Sequence, residues 1–96
     1  MLEEYMLSLG YNEKEIKLIR GTYGVRNLST KKLWLRFREI YSFWKEYGYT
    51  DKQIIKMTRE CPSLCVYSKE TVEKKIKFLN SLGFKKEEII KMTTKN

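Results

Sequence analysis

One phrase is written three times in this chain, and it constrains the fold more than any single residue does. It reads Leu9-Gly10-Tyr11-Asn12-Glu13-Lys14-Glu15-Ile16, then Tyr47-Gly48-Tyr49-Thr50-Asp51-Lys52-Gln53-Ile54, then Leu82-Gly83-Phe84-Lys85-Lys86-Glu87-Glu88-Ile89. The glycines lie 38 and 35 positions apart, a period that falls among helical repeat proteins. The second and third copies continue identically as Ile-Ile-Lys-Met-Thr, from Ile54 to Thr58 and from Ile89 to Thr93. Short apolar runs rarely keep register by chance over such a length, so the chain is read as a repeat protein.

Each glycine falls where one helix stops and another begins. Glycine lacks a Cβ and closes a helix in the left-handed conformation. Two residues later comes a cap, Asn12 with Glu15 and Thr50 with Gln53, both at capping-box spacing. The third copy has Lys85 with Glu88 and is the weaker start. Short helices are expected at about 13–20, 51–59 and 86–93. Ser29 or Thr30 caps a longer helix to Tyr47, and Ser68 caps another to Leu82. Leu33, Phe37, Ile40, Trp44 and Tyr47 form an amphipathic stripe on the first, and Val72, Ile76, Leu79 and Leu82 on the second. Leu2, Tyr5, Met6 and Leu9 read as the end of a further helix. Pro62, the single proline, suits the first turn of a short helical segment, with Leu64 and Val66 pointing into the core.

No segment alternates with a strand period. The expected fold is all-α, a short right-handed α-solenoid of about two and a half repeats, each a short helix, a proline-started turn and a longer helix ending at glycine. The 96 residues make one domain, with units at about 1–10 (partial), 11–47, 48–82 and 83–96 (partial).

Twenty Lys and Arg against twelve Asp and Glu give a net charge of +8. That balance favours polyanionic partners such as DNA, RNA or acidic proteins. The alternative is a solvated, lysine-rich surface. No apolar run approaches the roughly 20 residues a membrane helix needs, and Met1-Leu2-Glu3-Glu4 is acidic where a targeting peptide is basic. A cytoplasmic protein with no membrane partner is expected. Cys61 and Cys65, in a chain without histidine, do not make up a zinc site. Both are read as small apolar core residues, and no metal or cofactor is expected.

From Cys61-Pro62-Ser63-Leu64-Cys65-Val66-Tyr67-Ser68 through Val72, Ile76, Phe78-Leu79 and Leu82-Gly83-Phe84 to Glu87-Glu88-Ile89-Ile90, the sequence resembles the mTERF repeat of mitochondrial transcription termination factors. The resemblance is best over about residues 48–92. In the N-terminal half Gly24 stands where Pro62 aligns, Gly21 adds a break, and the linker reads as three residues longer. The resemblance implies stacked helical repeats and, since several members bind duplex DNA or RNA along a basic face, a nucleic-acid-binding role, with transcription or gene regulation as its setting.

The candidate contact residues are Arg20, Arg26, Trp34, Arg36, Arg38, Tyr41, Lys45, Lys56 and Arg59. Trp34, Arg38, Tyr41 and Lys45 recur at helical spacing along one ridge. Cations interleaved with aromatics neutralise phosphates and stack on bases. On the competing account Trp34 and Tyr41 pack against the neighbouring repeat while the cations snorkel. Arg20, Arg26 and Arg36 bracket the Gly21–Leu28 linker, and Lys56 with Arg59 closes the second short helix. Arg20 and Arg59 are also what a helix dipole favours at its C-terminus.

Catalysis has no support: there is no histidine, Asp51 is the single aspartate, and no glycine-rich phosphate loop is present. Two other readings fit the residues. One is a protein-interaction module with an apolar groove or an exposed repeat end, where Ile89, Ile90 and Met92 either pack inward or leave a surface for a homodimer. The other is a divergent helix-turn-helix over Tyr49–Ile54 and Ser68–Val72, although the connection is longer than that motif's turn and contains Pro62.

Overall fold

The computed structural model describes residues 2–22 and 25–94. Its elements, in order, are α1 (Leu2–Leu9), α2 (Glu13–Gly21), α3 (Thr30–Tyr47), α4 (Asp51–Glu60), a 3₁₀ helix (Pro62–Val66), α5 (Lys69–Ser81) and α6 (Lys86–Thr94), with no strand among the described residues. The protein is all-α.

Capping residues place the helix starts. Asn12 and Thr50 each accept from the amide three residues on, and Glu15 and Gln53 accept from Asn12 N–H and Thr50 N–H in return. Lys85 has no side-chain acceptor to offer, so only half the box forms, with Glu88 Oε1 accepting from Lys85 N–H at 2.9 Å. Three ends share one closure. The amides of Tyr11, Tyr49 and Phe84 donate to the carbonyls of Met6, Trp44 and Leu79, at 3.1, 3.0 and 3.2 Å. Such closure swings the chain through a left-handed residue, here Gly10 at φ +118° and Gly48 at φ +129°.

The same joint is built twice between successive units. Tyr11 hydroxyl meets Thr58 Oγ1 at 2.6 Å, and Tyr49 hydroxyl meets Thr93 Oγ1 at 2.5 Å. Beside these bonds, a Cβ on Gly10 would lie 3.1 Å from Ile55 Cδ1, and one on Gly48 would lie 3.3 Å from Ile90 Cδ1. Glycine is therefore required for close approach as well as for backbone conformation. Helix α2 packs on α4, α4 on α6 and α3 on α5, while the 3₁₀ helix touches α2, α3 and α4.

One core cluster runs from Leu2 to Ile89 and takes in Leu33, Phe37, Ile40, Tyr41 and Trp44 from α3. Several expectations need correction. Cys61 is exposed: it caps the end of α4 through its backbone, its amide donating to Met57 O at 2.8 Å, and its side chain stays outside. Cys65 alone is a core residue. Leu64 and Val66 pack against the core beside it, as expected, but stay half-buried, because a 3₁₀ helix repeats every third residue and turns Cys65 furthest inward. Leu82 is exposed and Tyr47 half-buried. At the last helix Ile89 is buried, Ile90 is half-buried against Gly48, and Met92 is exposed.

The extra length of the first repeat lies in a helix and not in its linker. Thr22 and Cys61 are equivalent helix ends, and Ser29 and Ser68 are equivalent caps. Between them Val25 N–H donates to Thr22 O and Leu28 N–H to Val25 O, as Leu64 N–H does to Cys61 O and Tyr67 N–H to Leu64 O. The connections match in length, while α3 has 18 residues against 13 in α5. Gly24, expected opposite Pro62, lies outside the described residues.

Candidate nucleic-acid interface

A groove of about 860 Å³ crosses the short helices, lined by Leu9, Gly10, Thr50, Asp51, Lys52, Gln53, Ile55, Lys56, Arg59 and Thr94. Its position follows from the turn at Gly10, which lets α4 approach closely and leaves one flank of that helix open. Successive α-helical residues are about 100° apart, so Lys52, Lys56 and Arg59, at spacings of 4 and 3, share that flank. Ile54, Met57 and Thr58 face the core instead.

Of the residues expected at an interface, the structure brings Lys56 and Arg59 into this groove and Lys45 to its edge. Lys45 Nζ lies 3.2 Å from Asp51 Oδ1, and Tyr41 hydroxyl donates to the same oxygen at 2.5 Å. The Tyr41 bond, and after it the Lys45 bond, hold the Asp51 carboxyl below the usual aspartate range. Arg59 Nη1 donates to Glu15 Oε2 at 3.3 Å. Glu15 is buried, so the pair ties α4 to α2 while the half-exposed Arg59 side chain still borders the groove.

The others lie elsewhere. Tyr41 is only 4% exposed; it packs on Phe37 at 5.5 Å between ring centroids, and burial, with Asp51 beside it, raises its pKa. Tyr41 is thus an interior residue. Trp34 is half-buried, edge-on to Tyr5 at 5.0 Å with the Arg38 guanidinium 5.3 Å above it. Of that ridge, Trp34 and Tyr41 are taken up in packing, while Arg38, over the Trp34 ring, and Lys45, beside Asp51, stay exposed. Arg36 lies on the other flank of α3, donating to Val66 O at 3.4 Å. Arg20 donates to Thr30 Oγ1 at 3.4 Å and lines a separate groove against α1. Arg26 is exposed in the turn before α3. Lys52 is not among the residues expected from the sequence, yet it lines the groove with Lys56 and Arg59, four and seven positions before them.

The sequence profile of the mTERF family matches residues 4–96. The chain belongs to the mTERF family. The match takes in the N-terminal half as well as the stretch around Pro62 that carries the mTERF hallmarks. Membership supports a nucleic-acid-binding helical-repeat protein as the class of function, and mTERF proteins are generally non-catalytic binders. No curated protein and no solved structure matched the chain.

No helix among the described residues is long and apolar enough to cross a membrane. Among the same residues no cluster of His, Cys, Asp or Glu is arranged to hold a metal ion. α4 ends at Glu60 and α5 begins at Lys69, with the 3₁₀ helix between them, so the two helices are not joined by the three- or four-residue turn of a helix-turn-helix.

Proposed function

We propose that this protein binds nucleic acid without catalysis, holding the phosphate backbone in the α4 groove. Its helices are read as a short right-handed solenoid of about two and a half repeats, folded as one domain. The observation that carries the proposal is the convergence of Lys52, Lys56 and Arg59 on one open flank, in a chain of net charge +8 and mTERF descent. Cations lining a groove take up phosphates by releasing condensed counterions, so affinity falls steeply with salt. Phosphate contacts position a strand but do not read sequence, and the groove lining contains no aromatic side chain for base stacking. The recurrent Tyr–Thr and Gly–Ile joints support the solenoid reading, because each unit presents the same face to the next.

Titration of labelled duplex DNA, single-stranded DNA and RNA at low and near-physiological salt tests the proposal, with Lys52→Ala/Lys56→Ala alongside. Salt-sensitive binding weakened in the double variant is the expected result. Binding to none of the three at low salt overturns it and makes the charge a surface property.

A further inference from the structure

The molecule's internal joints define what one of its outer faces is built to meet. At the first joint Tyr5, Leu9, Gly10 and Tyr11 face the following helices: Tyr5 stands against Trp34, Gly10 against Ile55 and Tyr11 against Thr58. At the second joint the counterparts are Phe43, Tyr47, Gly48 and Tyr49. Lys86 Nζ lies 5.2 Å over the Tyr47 ring, Ile90 faces Gly48 and Thr93 bonds to Tyr49. The same four positions occur a third time as Phe78, Leu82, Gly83 and Phe84. Here Phe78 is 62% and Leu82 58% exposed, and nothing lies within 4 Å of a Cβ placed on Gly83.

We propose that this third face, the tail, binds the opposite end of a second copy of the chain. That opposite end, the head, is the outer side of α1 and α2, where Glu3, Leu7, Glu13, Ile16, Lys17 and Arg20 line a groove of about 420 Å³. Lys17 and Arg20 lie 38 positions before Ile55 and Thr58, the residues through which α4 meets the preceding joint. They therefore face out of the stack where those two face into it.

The chemistry of head and tail is matched. Gly83 leaves open the space that Ile55 fills at Gly10, which the alkyl stem of Lys17 enters. Phe84 has no hydroxyl, and no threonine lines the head groove to receive one. The half-exposed Leu7 supplies apolar contact for Phe78 and Leu82. Glu3 and Glu13 carry the charge opposite to Lys74, which borders Phe78, and to Lys85. A tail-to-tail pairing would set those lysines against each other. The contact is heterologous, so each copy added leaves a free head and a free tail, and association grows with concentration.

Sedimentation velocity across a wide concentration series tests this, using a tail-blocked variant (Phe78→Glu/Leu82→Glu) and a head-blocked variant (Glu3→Lys/Leu7→Lys). The wild-type chain is expected to gain mass with concentration. Each variant alone stays monomeric, and the mixture forms a dimer and nothing larger, since one supplies a head and the other a tail. Circular dichroism checks that both fold, with Phe78→Ser/Leu82→Ser as the milder tail block if the glutamates unfold the chain. A wild-type monomer at every concentration overturns the proposal. So does a blocked variant that still associates alone, or a mixture that stays monomeric.

Discussion

The phenolic oxygen of Tyr11 lies 2.6 Å from Oγ1 of Thr58, 47 positions later, in a buried contact between successive units. Thr58 donates its own proton to Ile54 O at 2.9 Å, so its oxygen receives the tyrosine proton. Tyr49 and Thr93 repeat the arrangement, with Thr93 donating to Ile89 O.

Removing the two partners of that bond separately should have unequal effects. Tyr11→Phe leaves Thr58 bonded to Ile54 and should cost about 1 kcal/mol. Thr58→Val strands a buried phenol and should cost more, about 1–3 kcal/mol. The double variant should be less destabilised than the sum of the singles. Urea unfolding of the three variants measures this; equal single costs that simply add would show that the hydroxyls do not interact.

Gly10→Ala places a methyl group on a backbone at φ +118°, 3.1 Å from Ile55 Cδ1. The left-handed conformation alone costs roughly 1–2 kcal/mol for a residue with a Cβ, and the contact with Ile55 adds to it. Ile55→Val in the Gly10→Ala background should recover part of the loss because it removes the offending methyl. Thermal unfolding of both variants checks this, and no recovery would locate the whole cost in the backbone.

Asp51 links stability to pH. Its carboxyl titrates below the usual aspartate value because Tyr41 and Lys45 bond to its charged form. The resulting stabilisation is fully present above the ordinary aspartate value of about 3.9 and is lost as pH falls through the depressed folded value. Asp51→Asn should therefore lower Tm near neutral pH, and the gap from wild type should close on acidification. A gap that is constant down to low pH would mean that the carboxylate charge contributes nothing.

The two cysteines should differ in reactivity. Burial pushes the Cys65 thiol up to about 12, whereas Cys61 is exposed, and the thiolate is the reactive form. Under native conditions iodoacetamide should modify Cys61 alone, with Cys65 following only on unfolding. Mass spectrometry of the digested protein distinguishes the sites, and comparable native labelling of both would show that the 3₁₀ helix opens readily.

In the nucleic-acid titration, Lys52→Ala/Lys56→Ala should weaken binding uniformly across sequences. It should also reduce the salt slope by about 1 for each lysine that contacts phosphate. Arg59→Ala is a poorer probe because it also leaves buried Glu15 without its partner. An unchanged slope in the lysine variant would move the interface off α4.

The sequence by itself determined the helices and the glycine turns that end them. Glycine, capping pairs and apolar spacing act within a turn or two of the backbone, so Asn12, Thr50, Gly10 and Gly48 announce their roles locally. The same local logic singled out Lys56 and Arg59 on α4, but not Lys52, which joins them only once the open flank of that helix is known. Tertiary structure decided which exposed-looking residues stay exposed. Tyr41 shares a helical ridge with Arg38, yet its ring lies in the core against Phe37, with its hydroxyl reaching Asp51 across the turn at Gly48. Cys61 and Cys65 are alike in composition and neighbours in sequence. The 3₁₀ helix between α4 and α5 buries one and leaves the other in solvent, an outcome that depends on how many residues fill each turn and on what packs against it. Likewise Tyr47 and Leu82 close equivalent helices. Lys86 covers one of them, and the other is left open, because only packing against a following unit decides whether a repeated position lies inside.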